Sequence, residues 1–494
     1  MNPDSLVDWF TAHNGTFDRA ALTFAPIDNL GWGAFALRDL QQDHTLFSLP
    51  RDLTLSTRTS SLPPLIGEED WKKHGLHVSW AGLILCLMWE AAQGESSKWS
   101  TYLASLPITF DTPMFWSLED LEQLKGTAVL DKIGKEQAEN DYANKVVPIL
   151  KSRTDLFGTE HPDSRFSLEA YHVMGSRILS RSFQVEAQPR VDAHEGAEMD
   201  LDNSSPLPHG NDDTENIEED VESDDDDGDD PANVAMVPMA DMLNARYGCA
   251  NAKLFDEDRD LRMVTTRSVR QGEQIWNTYG DLPNSELLRR YGHVDQVPLA
   301  EGGIGNPADI VEIRADLVME VIVQNYPEWA GPRSAERVDW WLEEGGDDVF
   351  VVDSSNDVPE EISSFVRLLM MSAPEWEKTK RKSRLPKPKE DEAALSVTAD
   401  VVRRRLAEYP TTIEDDEALL RAEQVPEKLI PFNLKHAIVV RLGEMRILRG
   451  LLRGVSARLE SSRTPPQSGS ASESRKRKAD GTVTSGRAGR TAKR

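Results

Sequence analysis

Gly272-Glu273-Gln274-Ile275-Trp276-Asn277-Thr278-Tyr279-Gly280 is the stretch on which the reading of this chain turns, together with Val237-Pro238-Met239-Ala240-Asp241-Met242-Leu243-Asn244 upstream of it. In the first, a short β-prone run ends at a tyrosine held between Thr278 and Gly280, from where a phenol can point into a cleft. Taken singly, Tyr279 reads more often as a packed aromatic. In the second, Asp241 and Asn244 follow a proline in an apolar setting, where polar groups must find partners or serve a polar ligand. A plain pair of turn residues is the competing reading.

Two further segments precede these. Gly31-Trp32-Gly33-Ala34-Phe35-Ala36 fits a loose dinucleotide fingerprint, but the residues after it read as strand and turn, with Pro50 beyond, and no helix starts at the glycines. The two glycines instead allow a backbone to approach a ligand closely, or simply make a β-turn. Ser180-Arg181-Ser182-Phe183 closes a helical pattern, and Arg181 can grip a carboxylate in two-pronged fashion or cap the helix C-terminus.

Around these segments the chain of 494 residues divides unevenly. Residues 1–20 hold a short amphipathic helix around Leu6, Val7, Trp9 and Phe10. A β-rich body over 21–295 contains a helical insert at about 60–183 and an acidic insertion at 186–232. A helical domain spans 302–460, and a basic tail spans 461–494. The net charge of −29 is concentrated: Glu186–Asp230 carries 19 acidic residues against Arg190 alone, a composition that cannot offset its ordering entropy with buried surface. The tail carries Arg475-Lys476-Arg477-Lys478, the form of a nuclear-import signal read by an import receptor, or a solvated segment that touches nucleic acid without specificity. The helix around His436–Val455 has an apolar face opposite Lys435, Arg441, Arg446 and Arg449, and that basic face is a candidate docking surface for protein substrates, packing against the β-rich body being the alternative. The longest apolar run, Trp80–Trp89, is about half the length a membrane span needs, so it reads as a buried helix. Two distant cysteines, Cys86 and Cys249, offer neither a disulfide framework nor a zinc cluster.

In their order, these segments resemble the SET-domain methyltransferases: the G-x-G strand, a helical insert, SRSF, PMADMLN, then NTYG with Leu287, Leu288, Tyr291 and Gly292. The resemblance is to the branch with a C-terminal helical substrate-binding domain, typified by the Rubisco lysine methyltransferases, and within it to enzymes acting on ribosomal proteins. Thr112-Pro113-Met114-Phe115-Trp116, Asn251-Ala252-Lys253-Leu254 and Arg441-Leu442-Gly443-Glu444 add to it. The resemblance implies an α+β fold with an all-α C-terminal domain, and a protein-lysine N-methyltransferase that uses S-adenosylmethionine and no metal. It implies that Gly31, Trp32, Gly33, Ala34, Phe35, Arg181, Asp241, Asn244 and Tyr291 line the donor pocket. Tyr279 is then the catalytic tyrosine, and Ser180, Arg181 and Gln184 begin the substrate groove. The expected target is a 60S ribosomal protein of the L42 type, met by a monomeric nuclear enzyme with no membrane and no specific nucleic-acid partner. A histone or transcription-factor target, or an inactive interaction scaffold, are the alternatives. One departure stands out: many members have His after the motif asparagine, where this chain has Ala245.

Overall fold

The computed structural model describes the chain apart from residues 1, 28–30, 159–163, 187–230, 301, 328, 330–333, 423–429 and 464–494. The acidic insertion and the basic tail fall almost wholly outside the described residues.

An N-terminal helix, Pro3–Ala12, starts at Asn2, whose side chain accepts from the Asp4 amide, and buries Leu6, Val7, Trp9 and Phe10. Small antiparallel sheets follow. β1 (Thr16–Phe17), β4 (Thr45–Pro50), β8 (Asp260–Thr265) and β7 (Ala252–Asp256) form one, in the order β1-β4-β8-β7. β2 (Leu22–Ile27), β3 (Gly31–Ala36) and β9 (Gln274–Ile275) form a second. β5 (Ser182–Gln184) pairs with β6 (Val234–Met236), so the two ends of the acidic insertion meet as neighbouring strands, with Gln184 opposite Val234. The first two sheets therefore join strands from both sides of the helical insert. That insert is anchored by the Trp80–Ala92 helix, buried from Ala81 to Glu90 as its apolar sequence requires, and closes with the Leu168–Arg181 helix. Among the described residues no helix is long and apolar enough to cross a membrane.

The α+β class is as expected. The C-terminal region differs in one respect: within the helical pattern lies an antiparallel ribbon, Val311–Arg314 with Val349–Val352. The Val349-Phe350-Val351-Val352 run alternates in burial, and Gly345-Gly346 leads into it.

Separate apolar cores fill the SET-like body and the C-terminal domain. A third joins them: Trp116, Leu124 and Val129 of the insert pack with Leu288 of the Asn284–Tyr291 helix and with Ala437 and Val440 of the Phe432–Arg463 helix. Polar ties cross the same junction. Arg441 donates to the Gln123 carbonyl, Arg405 to the Gly126 carbonyl at 2.6 Å, and Glu444 accepts from the Ala128 amide at 3.4 Å. This overturns the expected basic docking face. Arg441 is fully buried in an ion pair with Asp416 at 2.7 Å, Arg446 pairs with Glu417 at 3.0 Å and Arg449 with Glu414 at 2.6 Å. Carboxylates from the Ile413–Ala422 helix cover that face, which a one-helix projection of the sequence does not reveal.

Candidate active site

The site is built around the segment Asp241–Asn244. Met239, before it, is fully buried with φ of 74°, a left-handed backbone unusual for a side chain of that bulk, and it turns the following residues inward. Asn244 donates from its side-chain amide to the Trp32 carbonyl at 2.9 Å, tying this segment to β3. Gly31 sits at φ of +79°. At Gly33 an added Cβ would stand 2.6 Å from Ile27 Cδ1, 2.8 Å from Gln274 Nε2 and 3.3 Å from Asn244 Nδ2, so a larger residue would have to push those side-chain ends aside. Ala34 and Phe35 pair with Ile275 and Gln274 in β9, which carries the G-x-G strand alongside the tyrosine-bearing segment.

Tyr279 donates its hydroxyl to the Leu243 carbonyl at 3.1 Å. Its ring stacks on Tyr291 with centroids 4.4 Å apart and planes 9° from parallel. Burial holds the Tyr279 phenol well above its ordinary range, with Tyr291 adding to the effect and Arg181 opposing it, so the hydroxyl stays neutral. Arg181 donates to the Asp241 carbonyl oxygen at 2.7 Å and stands 3.8 Å from its carboxylate. Burial pushes Asp241 up to about 6, against the opposing pull of Arg181 and of a hydrogen bond from Tyr102 at 2.9 Å. Tyr102 escaped the sequence reading: it lies 139 residues from Asp241, and nothing local marks it.

The structure thus gathers Trp32, Gly33, Arg181, Asp241, Asn244, Tyr279 and Tyr291 around one short segment. Ser180 and Gln184 lie at its margin. The Ser180 hydroxyl bonds the Ser176 carbonyl at 2.7 Å, and Gln184 is exposed on β5. A cleft of about 320 Å3 opens beside the cluster, lined by Ala245, Arg246, Tyr247, Thr278, Tyr279 and Asp281 among others. The expected catalytic Tyr279 borders it, but none of the residues expected to hold a donor does; several of those meet around Asn244 instead. Ala245 keeps a backbone bridge to Asn277 despite lacking an imidazole.

Four buried polar atoms here have no hydrogen-bond partner: Arg181 Nε, Asp241 Oδ1, Gln274 Nε2 and Asn277 Nδ2. Buried polar groups are rarely left so, and their concentration suits a polar, zwitterionic ligand with an acceptor-rich ring, such as S-adenosylmethionine. Among the described residues no cluster of three or more His, Cys, Asp or Glu could hold a metal ion.

Comparison with known proteins agrees with this geometry. Residues 333–448 match the family described as Rubisco LSMT substrate-binding. Ribosomal lysine N-methyltransferase 4 of Saccharomyces cerevisiae is 31% identical over 310 residues, spanning 60% of this chain and 55% of that protein. N-lysine methyltransferase SETD6 of Rattus norvegicus is 28% identical over 445 residues, spanning 85% of this chain and 84% of that protein. Among solved structures, Rubisco LSMT bound to AdoMet superposes with a TM-score of 0.62 at 18% identity, covering 93% of this chain and 92% of that one. The SET domain of LSMT bound to MeLysine and AdoHcy gives a TM-score of 0.60, also at 18% identity, covering 93% and 92%. The fold is therefore the SET-domain fold with an appended helical substrate-binding domain. In sequence the chain is similar to N-lysine methyltransferases, and its residues 333–448 match the Rubisco LSMT substrate-binding family.

Proposed function

We propose that this protein is a protein-lysine N-methyltransferase that takes its methyl group from S-adenosylmethionine, and that its substrate is a 60S ribosomal protein. The observation that carries the activity is the half-buried, neutral Tyr279 hydroxyl. It is fixed by Leu243 and Tyr291 beside a cluster of unpartnered polar atoms. The ribosomal target rests on the yeast relative's name and on the resemblance of the PMADMLN–Ala245 region to that branch.

S-adenosylmethionine, when bound, would supply a sulfonium methyl whose carbon a neutral amine attacks in line, the N–C bond forming as the C–S bond breaks and the thioether leaves. The chain's own part is positioning and desolvation. The β3 backbone from Gly31 to Phe35, with Asn244 behind Trp32, forms one wall of the donor site, and Tyr291 offers a ring face. Arg181 and Asp241 supply opposite charges for the amino-acid end. Lysine in water is almost wholly protonated at neutral pH, and an apolar channel favours its neutral form. The Tyr279 hydroxyl gives its proton to the Leu243 carbonyl, so its oxygen is left to accept from the amine N–H and aim the lone pair. Ser180, Arg181 and Gln184 mark the start of the substrate groove, where Gln184 is exposed on a short strand.

Incubating the full chain with labelled donor and purified 60S proteins, then locating the label by mass spectrometry, tests both levels. Label on a lysine of a ribosomal protein supports the proposal. In a parallel incubation with histones and transcription factors, label there alone redirects the target, and no label on any protein in either incubation sinks the activity. We also propose that the enzyme is a monomer that reaches the nucleus through Arg475–Lys478. A fluorescent fusion with those four residues changed to Ala should spread into the cytoplasm.

A further inference from the structure

A second cleft, of about 200 Å3, lies between the helical insert and the Asn284–Tyr291 helix, which contributes Arg289. Its walls are largely apolar: Trp80, Ile84, Pro113, Met114, Ile133 and Leu179. Two polar side chains on those walls have buried atoms with no hydrogen-bond partner, Thr112 Oγ1 and His172 Nε2. Thr112 is only 3% exposed. The Glu139 carboxylate stands 3.8 Å from His172 Nε2, too far for a hydrogen bond. Burial holds the His172 imidazole below its ordinary range, so it is neutral and its ring nitrogens can donate or accept.

The cleft adjoins the reaction site through two helices. Ser176 and Leu179 lie on the helix that ends at Arg181, and Arg289 lies on the helix that ends at Tyr291. At a rise of about 1.5 Å per residue, Leu179 and Arg289 are roughly 3 Å along their helices from those site residues. Large apolar side chains are exposed on the segments that supply the cleft's walls: Trp80 at 40%, Phe115 at 40% and Leu118 at 83%. Phe115 stacks on Phe110. Asp111, Glu119 and Glu122 are exposed on the same stretch of chain, which suits a basic, lysine-bearing partner.

We propose that this cleft is a specificity subsite that takes one polar aromatic side chain, a tyrosine above all, from the protein being methylated. An apolar ring fits the walls, and a phenol hydroxyl offers both a donor and an acceptor to the two orphaned atoms. The proposal rests on the methyltransferase reading, and it names what that reading leaves open: which neighbour of the target lysine is recognised.

Gly175 gives a way to close the cleft. It lies on the wall within a helix, and an added Cβ would meet only Ile84 Cδ1, at an ordinary 3.4 Å. The test is an array of lysine-centred peptides in which each flanking position in turn is Tyr, Phe or Ala. Methylation is by the full chain with labelled S-adenosylmethionine. The expected result is one offset at which Tyr exceeds Ala by about ten-fold and exceeds Phe by several-fold, the scale of one hydrogen bond and a filled cavity. Gly175→Leu should bring the Tyr-to-Ala ratio there close to one, and Thr112→Val should erase the Tyr-to-Phe difference while keeping that of Phe over Ala. Melting curves for both variants establish that they are folded. Equal methylation of Tyr, Phe and Ala peptides at every offset overturns the subsite and leaves the enzyme standing. So does a preference that survives Gly175→Leu. Failure to methylate any lysine peptide or any 60S protein overturns the enzyme reading, and the subsite with it.

Discussion

Replacing Tyr279 with Phe removes one oxygen from the centre of the site and nothing else. The ring keeps its stack on Tyr291, 4.4 Å between centroids, so its packing is retained. What is lost to the fold is one hydrogen bond of 3.1 Å to the Leu243 carbonyl, worth about 1 kcal/mol net. Donor binding should persist, because Asn244, Arg181, Asp241 and the β3 backbone are untouched. Turnover should fall by roughly two to four orders of magnitude, about 3 to 5 kcal/mol of barrier, since aiming the amine lone pair matters most in the transition state. Calorimetry with S-adenosylmethionine and a single-turnover methylation assay separate the two effects. A Phe variant that methylates at the wild-type rate would refute the reasoning and make Tyr279 a core aromatic. A variant that no longer binds the donor would move its role from chemistry to binding.

Arg441→Ala should destabilise the chain by about 3 to 5 kcal/mol in denaturant unfolding, because it strands the fully buried Asp416 carboxylate, whereas Arg441→Met combined with Asp416→Leu should recover much of the loss. Replacing residues 187–230 by a short Gly/Ser linker should leave the melting temperature within a few degrees, since Gln184 and Val234 already face each other across two paired strands; insoluble protein would contradict this. Burial pushes Asp309 up to about 7, above the unfolded value near 4, so its contribution to stability is fully present below about pH 4 and is lost as pH rises through 7. The stability of wild type relative to Asp309→Asn should therefore decline from pH 5 to pH 8, and a pH-independent difference would show that the carboxyl is not held protonated.

The motifs that named the fold were legible because each encodes its constraint locally. Gly31 supplies the positive φ of +79° that its position needs, and the Trp80–Trp89 run declares its burial by composition. The clustering of Tyr279, Asn244 and Arg181 was foreseen only through resemblance, since no spacing rule brings residues so far apart in sequence together. What stayed hidden depended on partners from elsewhere in the chain. Tyr102 looks like any aromatic in a short helix until Asp241 is placed against it. Arg441 sits on a face that the helical period marks as basic and therefore solvent-facing, yet Asp416 and the Gln123 carbonyl make it an interior residue. The ribbon of Val311–Arg314 and Val349–Val352 was masked by helical patterns on both sides. Ala245, where many relatives have an imidazole, keeps its backbone pairing with Asn277, so the departure changes a side chain without breaking the strand-like contact.

The polar ties between Arg441 and Gln123, Arg405 and Gly126, and Glu444 and Ala128 bear on how such proteins can be recombined. Each runs from the C-terminal domain to a main-chain group of the insert, so what a graft must reproduce is the path of the 123–128 loop rather than its side chains. A chimera that joins this C-terminal domain to another catalytic body would need that loop transplanted with it. Without the loop, each of these three charged side chains would lose its main-chain partner and keep only those within its own domain, among them Asp416 for Arg441, Glu408 for Arg405 and Tyr409 for Glu444. Exchange of substrate preference between such proteins is thus a matter of moving two separated stretches of gene together, and a crossover placed only at the domain boundary would yield an insoluble hybrid.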